Sequence, residues 1–314
     1  MKWTDAERAK LLELVSAGAS HAEVARQLGR TYAGVEKKLR ELRVAAPVEI
    51  PVEWEAPHHE DPSPDLGISY ERILFVPDTH APYADEAAWA LMLAAARKWR
   101  PHRVVVLGDL ADFYAVSDHS HDPARKLNLK WEVGEVNKKL EDLDSLGATF
   151  KHFIEGNHED RLRRHLAQHS PAMFDMFDIP GLFRLAERGW THTPYGQAFK
   201  IGHLYATHDE GSCGVTAHIK ARGTFTGNVA IGHTHHMGVD YLGNARGETH
   251  VGVAFGWLGD VASIDYKSRV KAKQWSHGFG IGHRFGDDVH LQACPIVNGR
   301  VVVDGVATLA KEAA

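Results

Sequence analysis

Two periodicities divide the chain. Over the first 45 residues apolar positions recur at helical spacing and predict three short helices. Thr4-Asp5-Ala6-Glu7 is a capping box, in which Thr4 and Glu7 satisfy orphan backbone donors reciprocally, and Leu11, Leu12, Leu14 and Val15 follow it. Ala17-Gly18-Ala19 breaks that helix. Ser20-His21-Ala22-Glu23 is a second box opening a short helix with Val24, Ala25 and Leu28, which Gly29 ends. Thr31 caps a third helix that turns Val35, Leu39 and Leu42 inward. That helix carries Lys37, Lys38, Arg40 and Arg43, with Arg30 just before it. Two helices joined by a tight Gly-containing turn, the second one basic, make a helix-turn-helix pattern.

From residue 72 the pattern changes to short apolar runs, each ending in polar residues. Ile73–Val76 precedes Pro77-Asp78-Thr79-His80, and Val104–Leu107 precedes Gly108-Asp109-Leu110-Ala111-Asp112. Phe150–Ile154 precedes Glu155-Gly156-Asn157-His158-Glu159-Asp160. Phe199–Thr207 runs as one strand into His208-Asp209, and Val229–Ile231 precedes Gly232-His233-Thr234-His235. Helical stretches lie between the early runs, about Asp85 to Trp99 and Arg125 to Leu146. Strands alternating with helices predict an α/β domain whose ligands sit outside the carboxyl ends of the strands. Later, Val297–Val301 reads as a hairpin turning at Asn298-Gly299, and Ala307–Ala314 as a tail.

Charge sharpens these boundaries. Residues 1–45 are net +3, whereas residues 46–71 hold seven acids, no Lys or Arg and five of the thirteen prolines, the composition of an extended linker. Residues 72–314 are left at −1 within a net charge of −5, which excludes a wholly basic nucleic-acid coat. The expected domains are therefore a helical module over 1–45, a linker over 46–71, a catalytic domain over 72–306 and a tail over 307–314. The two cysteines, Cys213 and Cys294, exclude a disulfide scaffold and a four-cysteine zinc site and fit a reducing cytosol. No 18-residue apolar run predicts a membrane span, and the N-terminus lacks the apolar stretch of a signal peptide, so a cytoplasmic chain is expected.

Histidine is the abundant residue, 22 of 314. The strand-end positions gather Asp78, His80, Asp109, Asn157, His158, His208, His233 and His235, a mixed O/N donor set suited to Mn, Fe, Zn or Ni rather than Ca. So many donors exceed the needs of one tetrahedral zinc and suit two ions sharing a carboxylate. Gly108, Gly156 and Gly232 let the backbone turn beside such a site.

These residues, taken in order, resemble the calcineurin-like metallophosphoesterase superfamily. Its pattern is D-x-H, G-D-x-x-D/N, G-N-H-E/D, a later His, and G-H-x-H; here stand Asp78-Thr79-His80, Gly108 to Asp112, Gly156 to Glu159, His208, and Gly232 to His235. The resemblance implies a four-layer αββα sandwich with mixed sheets. It implies one ion on Asp78, His80, Asp109 and His235 and a second on Asp109, Asn157, His208 and His233, with Asp109 bridging. Two divalent ions are expected, Mn first and Fe, Zn or Ni next. The implied chemistry is in-line attack of a metal-bridging hydroxide on phosphorus, with protonated His158 acting on the leaving oxygen and Asp112 or Glu159 orienting it. Arg161 and Arg164 follow motif three and could grip phosphate, or could simply face solvent on a helix.

The first 45 residues resemble small Myb/SANT-like helix-turn-helix modules, which implies DNA binding through Arg30, Lys37, Lys38, Arg40 and Arg43; assembly, including a homodimer, is the other use of such a module. The whole architecture is similar to phage-type phosphoesterases and, at the core motifs, to SbcD-like DNA exonucleases. A metal-dependent phosphodiesterase acting on DNA is the leading expectation, in a host cytoplasm if phage-encoded. The alternatives are a phosphomonoesterase or cyclic-nucleotide phosphodiesterase with a structural helical module, and a DNA-binding regulator with an inactive phosphoesterase domain. Cys213 is expected as a small packed residue, and Trp257, Trp275 and Phe279 as core.

Overall fold

The computed structural model describes residues 3–17, 19, 21–45, 70–118, 121, 125, 128–263 and 274–310. The chain forms two compact units, Met1–Leu66 and Gly67–Ala314.

The first unit holds three helices among the described residues, α1 (Asp5–Ser16), α2 (His21–Gln27) and α3 (Tyr32–Ala45). Its start is set by the expected capping box: Glu7 N donates to Thr4 Oγ1 at 3.3 Å, and Thr4 N donates to Glu7 Oε2 at 2.8 Å. The second box begins at Ser20, outside the described residues. Gly29 adopts φ +58° after α2, and Gly34 N donates to Thr31 Oγ1 at 3.1 Å at the head of α3. Leu11, Val24, Ala25, Val35 and Leu39 are buried together, with Trp3, Leu14, Val15 and Leu28 packed on them. Arg30 departs from expectation. Its Nη2 lies 2.8 Å from Glu7 Oε1 and its guanidinium 5.1 Å from the Trp3 ring centroid, so it ties the bundle together from within rather than standing on an open basic face. Lys37 is exposed and Lys38 half-buried; Arg40 and Arg43 lie on α3, their side chains outside the described set.

The second unit is a mixed α/β sandwich. It runs β1 (Glu71–Val76), α4 (Glu86–Trp99), β2 (Arg103–Val106), α5 (Leu129–Asp144), β3 (Phe150–Ile154), α6 (Glu159–His169), α7 (Ile179–Leu182) and β4 (Trp190–Thr193). Then come β5 (Phe199–Ile201), β6 (Leu204–Thr207), α8 (Ala217–Phe225), β7 (Asn228–Ile231), β8 (Met237–Gly243) and β9 (Thr249–Phe255). The last strands are β10 (Gly278–Phe285), β11 (Asp288–Pro295), β12 (Arg300–Val303) and β13 (Val306–Leu309). One six-stranded sheet has the order β11-β10-β1-β2-β3-β4, with β1 to β4 parallel; a five-stranded sheet has the order β5-β6-β7-β9-β8, with β6, β7 and β9 parallel.

Alternation along the strands builds the layers. Leu74, Val76, Val104, Val106 and Phe153 face α4 and α5, burying Trp89, Met92, Val136 and Leu140. The intervening residues Ile73, Phe75, Val105 and Ile154 face the second sheet and meet Leu204, Ala206, Val253 and Phe255, Phe75 stacking on Phe255 with ring centroids 5.2 Å apart. The outer face of that sheet buries Val229, Ile231 and Ala254 under Ala217 and Ala221 of α8. Helix, sheet, sheet, helix is the expected order of layers.

Three boundaries differ from the sequence reading. The run Phe199–Thr207 is two antiparallel strands turning at Gly202, whose φ of +55° and contact with the Asp287 carbonyl leave no room for a Cβ. Residues 307–309, expected in a tail, pair with β12. Glu71, expected in the linker, opens β1 and lies 2.7 Å from Arg103; residues 46–69 of that linker are outside the described set. At Asn298-Gly299 the tight turn forms as expected, both residues at positive φ and Val297 and Arg300 exchanging backbone bonds.

Candidate metal centre

The parallel strands of both sheets deliver their carboxyl ends to one place. Asp78 and His80 follow β1, Asp109 and Asp112 follow β2, and Asn157 and His158 follow β3. From the other sheet His208 follows β6, and His233 and His235 follow β7. Four of these residues, His80, Asp109, His233 and His235, hold φ between 51° and 65°, the left-handed region that non-glycine residues avoid. Such strain persists only where the surroundings over-determine it. Here Gly108, Gly156 and Gly232 supply the closeness: a Cβ on Gly156 would overlap Asp109 Oδ1, one on Gly108 would lie 2.6 Å from His208 Nδ1, and one on Gly232 would lie 2.6 Å from Asp78 Oδ1.

The donor atoms fall into overlapping groups. Asp78, His80 and His235 form one and Asp109, His208 and His233 a second, and His80, Asp109 and His158 form a third that links them; each group's ligand atoms lie within 4.8 Å of one another. His80 Nε2 and His235 Nε2 face each other at 3.0 Å, and His235 Nε2 is 3.0 Å from Asp78 Oδ2. Asn157 Oδ1 joins the second group, 2.9 Å from His208 Nε2 and 2.8 Å from His233 Nδ1. Asp109 Oδ2 stands between the groups, 3.4 Å from His208 Nε2 and 4.0 Å from His80 Nε2.

Hydrogen bonding shows what these atoms lack. His80 Nδ1 is on Asp112 Oδ2 at 3.1 Å and His208 Nδ1 on the Leu107 carbonyl at 2.8 Å, so both rings donate from Nδ1 and aim Nε2 at the centre. For His208 that nitrogen lies 2.9 Å from the Asn157 carbonyl oxygen and 3.4 Å from Asp109 Oδ2, the places where a bound ion would replace a proton. Asp78 Oδ2 is buried without a hydrogen-bond partner. Donor atoms gathered about 3 Å apart have the separation expected of neighbouring ligands about 2.1 Å from a shared ion. The electrostatics agree. Burial alone would raise the Asp109 carboxyl, but the His158 and His208 imidazoles hold it well below the usual carboxylate range. Burial works against a charged His208, yet Asp109 outweighs it and pushes His208 up to about 10. The pocket draws positive charge, and this donor set fits divalent ions.

Residues 71–305 match the calcineurin-like phosphoesterase family model. The chain belongs to that family. Among curated proteins it is similar to the Gene 54 proteins of Mycobacterium phages D29 and L5, each 26% identical over 249 and 260 residues, with 75% of this chain and 97% of theirs covered. Among solved structures it is similar to Vacuolar Protein Sorting 29 from Cryptosporidium parvum (TM-score 0.39, 13% identity, 76% of this chain and 95% of that one). It is also similar to Yfce, a phosphoesterase from E. coli (TM-score 0.33, 14% identity, 71% and 98%). Membership makes the chain a hydrolase of phosphoester bonds.

Around the metallophosphoesterase donors the structure separates residues that the sequence grouped. Of the two carboxylates expected to orient His158, Asp112 touches it: His158 Nδ1 donates to the Asp112 carbonyl at 2.9 Å, and Asp112 Oδ2 lies 3.4 Å away. Glu159 does not touch it. Its carboxylate accepts instead from Asp109 N at 2.8 Å, Ala111 N at 2.9 Å and Gly156 N at 2.7 Å, clasping two strand-end turns together. Arg161 Nη2 donates to His158 Nε2 at 2.9 Å, so with Nδ1–H on Asp112 the ring is neutral, in keeping with the downward pull of burial on its pKa. Arg161 thus stands at the site, whereas Arg164 turns away to Asp160 Oδ2 at 3.1 Å.

A cavity of about 320 Å³ opens on the centre, lined among others by Asp109, Asn157, His158, Arg161, His233 and Trp275. Cys213 lies on its wall and is exposed, not packed as expected, in a loop between Gly211 and Gly214, both at positive φ. Trp257 and Phe279 are buried as expected; Trp257 stacks on His235 with centroids 4.8 Å apart, and Trp275 meets the same ring edge-on at 4.3 Å. Sequence reasoning missed two contributors: the Leu107 carbonyl that fixes the His208 tautomer, and Trp257 as the back wall of His235. A carbonyl leaves no mark in side-chain identity; Trp257 stood two residues beyond a strand end, the one signal that could have found it. His203 and His218, the competitors of His208, lie elsewhere, His203 on Asp288 at 3.2 Å and His218 buried in α8.

Proposed function

We propose that the chain is a phosphodiesterase of nucleic acid, DNA first, of the phage-type and SbcD-like branch, acting with two divalent ions in a host cytoplasm. The observation that carries this reading is the set of donor groups with Asp109 standing between them, opened to a cavity that Arg161 lines. Asp78, His80, Asp109 and His235 would hold one ion, and Asp109, Asn157, His208 and His233 the other. When bound, the ions supply charge neutralisation on the phosphate and a water acidified to near neutral pH, with Mn first and Fe, Zn or Ni also suited to the donors.

The chain's own residues do the rest. Arg161 leaves His158 for a phosphate oxygen, which fixes the diester by a charge-assisted bond. His158 Nε2, so released, takes up a proton from solvent and gives it to the leaving oxygen, while the Asp112 carbonyl holds the ring through Nδ1. Glu159 keeps the turns bearing Asp109 and Asn157 in register. The N-terminal unit, with Lys37, Lys38, Arg40 and Arg43 on α3, acts as a tethered DNA-binding module that raises the local substrate concentration.

The test is cleavage of labelled single- and double-stranded DNA and RNA beside small phosphomono- and diesters with Mn²⁺. DNA products that stop with chelator are expected, and deletion of residues 1–45 should weaken DNA cleavage while sparing small diesters. The cavity, about the size of one nucleotide, favours a second reading, a phosphomonoesterase or cyclic-nucleotide phosphodiesterase. Turnover of small esters with intact DNA would select it, and equal loss on all substrates after the deletion would make the helical unit structural.

A further inference from the structure

We infer that the chain carries a third divalent-metal site, apart from the strand-end centre, built by Asp118, His165 and His169. The two histidines are four residues apart on α6 and therefore on one face, the spacing by which a helix presents two imidazoles to a single zinc. Their rings are 4.7 Å apart between centroids and tilted by 45°. Asp118, just past the turn Tyr114–Val116, brings a carboxylate to them, and one ligand atom from each of the three lies within 4.8 Å of the others. None of the three makes a hydrogen bond or ion pair with the described residues, so their donors are uncommitted. Asp118 and His169 are exposed and His165 half-buried, which leaves the rotamers free to close the last ångström onto an ion.

Two imidazoles and one carboxylate suit Zn²⁺, Ni²⁺ or Cu²⁺ rather than Ca²⁺ or Mg²⁺. With three protein ligands, a fourth position stays open to water or an anion. The site shares no residue with the strand-end donors. It does share their helix: His158, Arg161, His165 and His169 fall on one stripe of α6, the last two roughly 10 and 16 Å along the axis from His158. An ion there would pin the segment that follows Asp112 to the helix that carries Arg161.

The experiment is Zn²⁺ stoichiometry on the full chain, stripped with chelator and re-equilibrated at micromolar free Zn²⁺. Wild type is expected to hold one equivalent more than the double variant His165→Ala/His169→Ala, and Asp118→Asn to weaken that equivalent by tenfold or more. Circular dichroism checks that the variants are folded; if the double variant is not, the single variant His169→Gln replaces it. Equal equivalents in wild type and variant, or an extra equivalent seen only at millimolar Zn²⁺, would overturn the assignment. The subtraction holds whatever the strand-end centre binds and whatever the chain hydrolyses.

Discussion

Arg161 and Arg164 show how far three residues can separate two like side chains. Arg161 reaches His158 at 2.9 Å and Arg164 reaches Asp160 at 3.1 Å. Arg161→Ala should therefore cost about 10- to 100-fold in kcat/KM on a diester, the loss of one charge-assisted contact of about 1.4–3 kcal/mol, while Arg164→Ala stays within twofold. Steady-state kinetics of the pair decide it, and equal effects would remove Arg161 from the site. A second histidine away from the centre makes a pH prediction. His152 is buried, its ring nitrogens 2.6 and 2.8 Å from the hydroxyls of Thr191 and Thr193, and burial pulls it down to about 4. The unfolded chain then binds the extra proton first, so stability is flat above pH 6.5 and falls between pH 6.5 and about 4, by on the order of 3 kcal/mol from this one group. Denaturant titrations across that range should show the slope, and His152→Gln should flatten it. The sequence named which residues form the centre because each donor type is required by the chemistry. It could not separate Arg161 from Arg164, or Asp112 from Glu159, since those differ only in where a backbone turn points them.

The strand ends were the legible part of the elements. A buried parallel strand must be a short apolar run, and the polar residues after it have nowhere to go but the sheet's edge. Where a run met no such rule, the reading slipped. Phe199–Thr207 is apolar enough for one strand, yet Gly202 folds it back on itself. Arg30 reads as part of a basic helix start, yet Glu7, 23 residues earlier, claims it. Both depend on partners that no local pattern displays. The turn after β3 offers the sharpest test at this scale. Gly156→Ala places a methyl against Asp109 Oδ1 and the Asp109 amide. Metal affinity should fall at least tenfold, read by titration with a fluorescent competitor, with the fold retained by circular dichroism. Unchanged affinity would mean that Asp109 is free to move and is not held as a shared ligand.

At the scale of the whole molecule, apolar contacts join the two sheets in the interior, Phe75 on Phe255 among them. At the strand ends polar donors from both sheets converge. His80 belongs to one sheet and His235 to the other, and 155 residues separate them in the chain. Ions held there act as rivets across the seam. Closing a loop of that length withdraws up to about 5 kcal/mol of entropy from the unfolded chain by the arithmetic used for a disulfide, without a single cysteine. Loading with Mn²⁺ should raise the melting temperature by several degrees and further with ion concentration, and chelator should reverse it, with amide exchange speeding first in β6 and β7. A melting curve indifferent to metal would show that the seam closes without them. If it shifts, the same ions that serve the chemistry also decide how firmly the sandwich stays shut, and a cell's supply of metal sets the lifetime of the protein as well as its rate.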